Sequence, residues 1–147
     1  MLIERGELSF HCTLSDIFTD FPVYGKQITV HHLLQHTSGL ISYESIIPET
    51  ASEQVLDRDV LRMTTGQDST YFSPGTSYQH SNSGYAVLAM VVKKISGRTF
   101  AQFLKKNIFD PLGMKTLLHS REEFPRLLIV HTDIPKKTAH LLSQTKA

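Results

Sequence analysis

Ser83-Gly84-Tyr85-Ala86-Val87-Leu88-Ala89-Met90-Val91-Val92-Lys93-Lys94-Ile95-Ser96-Gly97 is the stretch that sets the fold class. Its residues are apolar nearly all round until the two lysines, and an amphipathic surface helix would show only a stripe. The segment therefore predicts a central helix buried on most faces, closed by Gly97 in the left-handed conformation. Downstream, Thr99-Phe100-Ala101-Gln102 has capping-box spacing, and Phe100, Phe103, Leu104 and Ile108 form an amphipathic helix that must stop before Pro111. Upstream, residues 67–82 read as loop: Pro74 presets φ and Gly75 takes positive φ in Ser73-Pro74-Gly75-Thr76.

Further upstream, Thr50-Ala51-Ser52-Glu53 repeats the capping-box spacing ahead of Leu56, Val60 and Met63, one apolar stripe on a helix ending near Gly66. Thr29 is placed to cap a short helix through His31-His32-Leu33-Leu34-Gln35-His36, with Gly39 as the residue that ends it. The first segment, Leu2 to Tyr24, is cut by Gly6 and Pro22 and reads as a helix end, a turn and a short helix. The dominant signal is helical, and the fold class expected is mainly α.

The chain has 147 residues, 40% of them hydrophobic and 20% charged, which suits one packed domain and excludes a disordered polyelectrolyte. A formal net charge of +1 supplies no electrostatic footprint for nucleic acid, which needs clustered Lys and Arg. No run approaches the roughly 20 apolar residues of a membrane span. Glu4 and Glu7 interrupt the place where a secretory signal keeps its apolar core, so no signal peptide is read in this chain and its compartment stays open. Cys12, alone, cannot form an intrachain disulfide.

Eight histidines raise the question of a metal. His32 and His36 could share a helix face, but Leu33 stands where a His-Glu-x-x-His site has its glutamate, so the plain alternative is that His31, His32 and His36 cap or pack a helix end. No metal and no cofactor are expected. Gly-x-Ser-x-Gly and Walker-type loops are absent, which disfavours an α/β-hydrolase elbow and a P-loop ATPase.

Three longer pieces occur in order: Ile28-Thr29-Val30-His31-His32-Leu33-Leu34-Gln35-His36-Thr37-Ser38-Gly39-Leu40, then Phe72-Ser73-Pro74-Gly75-Thr76-Ser77-Tyr78-Gln79-His80-Ser81-Asn82-Ser83-Gly84-Tyr85, then Ile108-Phe109-Asp110-Pro111-Leu112-Gly113-Met114. Together they resemble the serine β-lactamase-related family, which takes in class C β-lactamases, D-alanyl-D-alanine carboxypeptidases (penicillin-binding proteins) and related esterases. The resemblance covers roughly residues 2–118, leaving 119–147 as a C-terminal segment of unclear structure. It implies the helical region of the β-lactamase/transpeptidase-like α+β fold, with most of the central antiparallel sheet missing.

The activity the resemblance implies is acyl transfer through a covalent acyl-enzyme on a small-molecule acyl substrate: a β-lactam, a D-Ala peptide or an ester. In the family a Ser-x-x-Lys places hydroxyl and amine on one helix face, a Tyr-x-Asn loop faces them, and a Lys-Thr-Gly or His-x-Gly strand helps to bind substrate. Here His80-Ser81-Asn82 stands where Tyr-x-Asn is expected. His80 and Asn82 are thus the catalytic candidates, with Tyr78 and Ser81 assigned to substrate contact. A free imidazole titrates near ~6.5 and a phenol near ~10, so a histidine serves as base at neutral pH without the depression a tyrosine needs. The alternative is that His80 and Asn82 only satisfy backbone groups at the start of the helix.

The chain departs from the family pattern in two further places. It starts inside the segment that follows the nucleophile helix, so it reads as a fragment without the expected Ser-x-x-Lys. Ser143-Gln144-Thr145-Lys146 has that spacing but the wrong order, next to the C-terminus. Lys137-Thr138-Ala139 approaches the strand motif, with Ala139 in place of the glycine that lets backbone and substrate approach. Two functions are therefore carried forward: a serine acyl hydrolase that is inactive as this chain alone, and a non-catalytic helical binding or oligomerisation module derived from that family. A helix such as Tyr85–Ile95, deprived of the sheet it packs against, is expected to leave an apolar patch through which the chain self-associates.

Overall fold

The computed structural model describes residues 1–48 and 53–114. Its α-helices are α1 (Leu14–Ile17), α2 (Val30–Leu34), α3 (Asp57–Thr65), α4 (Asn82–Ser96) and α5 (Phe100–Leu104). 3-10 turns lie at Val23–Lys26 and Tyr43–Ser45, and a π turn at Lys105–Phe109 follows α5. Among the described residues there is no strand beyond one antiparallel bridge, Thr13 to Thr29, so the mainly α expectation holds.

The short helices exist because their ends are closed. Thr13 caps α1, taking the Asp16 N–H on its hydroxyl at 3.2 Å while its own N–H donates to Asp16 Oδ2 at 2.8 Å. Thr29 caps α2 as expected, and the box is closed by a histidine: the His32 N–H donates to Thr29 Oγ1 at 3.2 Å and the Thr29 N–H donates to His32 Nδ1 at 3.3 Å. Thr99 and Gln102 make the same reciprocal pair at α5.

α4 is the spine. Ser81 caps it, its Oγ accepting the Gly84 N–H at 3.0 Å, and Gly97 ends it in the left-handed region at φ 66°. Val87 and Val91 are fully buried in a cluster with Leu14, Ile17, Phe21, Ile28, Val30, Leu33 and Leu40. Each such side chain contributes about 1.5–3 kcal/mol by leaving water, which offsets the ordering entropy of helices too short to persist alone.

The structure corrects three boundaries. α2 ends at Leu34, and the left-handed residue that follows its cap is His36, at φ 60°, rather than Gly39. Gly39 has positive φ for another reason: a Cβ there would sit 2.2 Å from the Phe72 carbonyl oxygen. α3 begins at Asp57, where the Leu56 N–H donates to Asp59 Oδ2 at 3.2 Å and two aspartates face the positive end of the helix dipole. Glu53 lies in a bend before it, and Thr50 to Ser52 lie outside the described residues. The helix through Phe103 and Leu104 changes to the π turn at Lys105, whose ammonium bonds both Asp110 carboxylate oxygens at 2.6 and 2.9 Å. The division near residue 118, Lys137–Ala139 and Ser143–Lys146 all lie outside the described residues.

Candidate functional site

Residues 66–81 run back over the segment that follows α2, and three backbone hydrogen bonds fix them there. The Tyr71 N–H donates to the Gly39 carbonyl at 2.8 Å, the Gly75 N–H to the Thr37 carbonyl at 2.8 Å, and the Gln79 N–H to the His36 carbonyl at 3.0 Å. The first of these contacts requires Gly39, because any side chain would strike Phe72. Gly75, at φ 82°, turns the loop as the Pro74-Gly75 pair predicts.

This arrangement delivers His80 and Asn82 to the N-terminus of α4. The His80 ring is exposed and lies against His36, centroids 4.7 Å apart and planes tilted by 36°. Asn82 is half-buried and its Nδ2 donates to Glu44 Oε1 at 2.9 Å. A carboxylate can only accept, so this bond fixes which end of the carboxamide faces Glu44 and turns the carbonyl end away from it. Ser42 donates to the other oxygen of Glu44. Burial pulls the Glu44 carboxyl up, but hydrogen bonds from Ser42, Asn82 and the neighbouring backbone outweigh it, leaving the group below its ordinary value.

Tyr78 is 71% exposed and meets His36 edge-on at 6.0 Å, a position open to a ligand. Ser81, by contrast, is 8% exposed and its hydroxyl oxygen accepts the Gly84 N–H in the α4 cap. Ser83, fully buried, donates to the Ile41 carbonyl at 3.0 Å and accepts the Tyr43 N–H at 2.8 Å, tying the segment that carries Glu44 to α4.

The histidines considered as metal ligands make other contacts. His31 packs edge-on against Phe10, His32 Nδ1 closes the α2 cap, and His36 Nδ1 accepts the Ser81 N–H at 3.1 Å. Among the described residues no three His, Cys, Asp or Glu side chains converge. No described helix is long and apolar enough to cross a membrane.

Two residues in contact with His80 and Asn82 are not linked to them by any sequence pattern. His36 lies inside the His-Thr-Ser-Gly segment, and its helical spacing from His32 suggested a ligand rather than a partner of His80. Glu44 is 38 residues from Asn82, and no local pattern connects them.

Comparison with known proteins places this geometry. The family profile described as Beta-lactamase matches residues 1–136. Penicillin-binding protein 4* of Bacillus subtilis (strain 168) is 34% identical over 129 residues, 85% of this chain and 28% of that protein. A D-aminopeptidase of Gluconobacter oxydans (strain 621H) is 31% identical over 94 residues, 62% of this chain and 18% of that protein. Among solved structures, a penicillin binding protein from Bacillus halodurans superposes with TM-score 0.65 at 32% identity, over 78% of this chain and 35% of that one. The D-amino acid amidase from Ochrobactrum anthropi SV3 gives TM-score 0.66 at 26% identity, over 78% and 34%. The chain thus spans about a third or less of the length of these relatives.

Proposed function

The chain belongs to the Beta-lactamase family, related to serine hydrolases and sharing the helical portion of their fold, and from that premise we propose that it supplies the proton-transfer and orienting half of a serine acyl-hydrolase site. His80 is the general base and Asn82 the group that orients the substrate amide. The observation that carries this reading is the pairing of an exposed imidazole with a carboxamide polarised by Glu44, both at the start of one helix. Tyr78 offers an exposed ring beside them for the substrate's side chain.

The nucleophile belongs to a Ser-x-x-Lys segment, and no such spacing occurs among the described residues. In the proposed reaction the serine oxygen attacks the acyl carbonyl while His80 takes the hydroxyl proton. That proton passes to the leaving nitrogen as the C–N bond breaks, and His80 then deprotonates the water that cleaves the acyl ester. The relatives named for penicillin binding, D-aminopeptidase and D-amino acid amidase support a substrate class of β-lactams and D-amino acid amides or peptides.

The test joins this chain to the Ser-x-x-Lys segment of penicillin-binding protein 4* and treats both forms with a fluorescent penicillin and a fluorophosphonate. Labelling of the joined serine, lost in His80→Ala, is expected. Labelling of Ser81 would overturn the assignment. A second reading is a module that binds a ligand or a partner without turnover, with the exposed Tyr78 ring beside the His36–His80 pair as its contact surface. A joined form that binds D-amino acid amides yet never acylates would select it.

A further inference from the structure

We infer that His36 is the positioning residue of this site: its neutral imidazole latches the 78–82 segment, and a proton on it releases His80 and the start of α4 together. The inference rests on the reading just given for what His80 and Asn82 do, but its geometry is independent of any substrate.

His36 has φ 60°, and no other non-glycine among the described residues has positive φ. A side chain in that region is disfavoured unless its surroundings hold it there, and such residues cluster where function requires them. The left-handed turn throws the ring across the loop, where one residue holds three successive positions. Its carbonyl accepts the Gln79 N–H at 3.0 Å, its ring lies 4.7 Å from the His80 ring, and its Nδ1 accepts the Ser81 N–H at 3.1 Å. Tyr85 of α4 stacks on the His36 ring at 5.0 Å and 24°, its hydroxyl donating to the Leu34 carbonyl at 3.4 Å.

Nδ1 can accept only while it carries no proton, so the latched imidazole is the neutral form with its hydrogen on Nε2. A proton on Nδ1 would set N–H against N–H. Desolvation, and after it the charge of His80, hold His36 below its ordinary value, which agrees with the acceptor role. The titratable groups facing it are His80 and Tyr78 from the loop and Tyr85 from α4. Among the described residues no carboxylate bonds to it, and Glu44 is engaged with Ser42 and Asn82. Acid therefore opens the latch.

The experiment is an NMR titration of the whole 147-residue chain, following the Ser81 amide and the imidazole resonances of His36 and His80. The Ser81 amide is expected to move in one step that tracks His36 and lies below pH 6.5. In His36→Asn, chosen because asparagine tolerates the left-handed region, that step disappears, the His80 ring resonances lose their ring-current shift, and the Ser81 amide exchanges roughly fivefold faster. The Val87 and Val91 methyl resonances report whether the core is intact. Should the variant not fold, the wild-type titration alone decides. A Ser81 amide indifferent to His36 titration overturns the inference, as does a His80 ring with the same shifts and titration in a folded His36→Asn. None of these signals needs a nucleophile. A working latch with no acylation therefore refutes only the function proposed above, and acylation with a silent Ser81 refutes only the latch.

Discussion

The Asn82 carboxamide nitrogen donates to Oε1 of Glu44 at 2.9 Å, joining the 3-10 turn at Tyr43–Ser45 to the first residue of α4. The Glu44 carboxyl lies below its ordinary 4.5 because hydrogen bonds outweigh the opposing effect of burial. A depressed carboxyl contributes stability that is fully present above the unfolded-state value and is lost as pH falls through the folded one. The Asn82 side-chain amide resonances should therefore shift only below about pH 4.5, and Glu44→Gln should abolish the shift. With the pair near the surface, that substitution should cost no more than about 1 kcal/mol in urea denaturation. In a form joined to a nucleophile it should slow acylation on the order of tenfold to a hundredfold, because the carboxamide loses its fixed direction.

Replacing His80 tests the choice of base. In the same joined form, His80→Ala should lower the acylation rate on the order of 10²–10⁴-fold. His80→Tyr should restore part of that rate and move the working range to higher pH, because a phenol titrates about 3.5 units above an imidazole. Stopped-flow acylation across pH 5–10 measures both. Equal rates and identical profiles for the three forms would remove His80 from the chemistry.

Local signals carried most of the fold. Thr29, Thr99, Pro74-Gly75 and Gly97 act where their neighbours in sequence say they should, because caps and turns are settled within four residues. The candidate site is local only in part: His80, Ser81 and Asn82 share one short motif, but the sequence assigned Ser81 to substrate contact and did not show that its hydroxyl caps α4. What sequence could not give was contact across the loop. The left-handed His36 defies the propensity that favours Gly39 as the stop, and it is held there by Gln79, Ser81 and Tyr85, more than forty positions away. At the first turn of α3, the Asp59 carboxylate accepts the Leu56 N–H, a contact that the apolar stripe of Leu56, Val60 and Met63 does not announce.

Gly39 is where the loop and the α2 segment meet most closely. Its φ of 71° disfavours any side chain, and a Cβ would lie 2.2 Å from a backbone oxygen that cannot swing aside. Gly39→Ala should therefore cost about 2–4 kcal/mol in urea denaturation. It should also break the Tyr71 N–H bond to the Gly39 carbonyl, seen as faster exchange of that amide. A loss under about 0.5 kcal/mol, the range of an ordinary surface change, would mean that the loop does not rest on this glycine.

The Tyr24 hydroxyl pins the N-terminal layer to the end of α3, donating to the Thr64 carbonyl at 2.6 Å. Burial, helped by the charge of Asp68, pushes the phenol up to about 12 from its ordinary 10.0. For a group raised on folding, the acid form is favoured in the native state, so its contribution is complete below the unfolded value of 10.0 and fades as pH climbs toward about 12. Tyr24→Phe keeps the ring that packs edge-on against Phe21 at 5.4 Å but removes one of two donors to the Thr64 carbonyl, which keeps the Gln67 N–H at 3.1 Å. It should cost about 1 kcal/mol at neutral pH. The deficit against the wild type should shrink above pH 10, where the unfolded tyrosine ionises. Absorbance at the phenolate band gives the titration directly and chemical denaturation at each pH gives the stability difference. A Tyr24 that ionises with the exposed tyrosines would show that this anchor is not formed in solution.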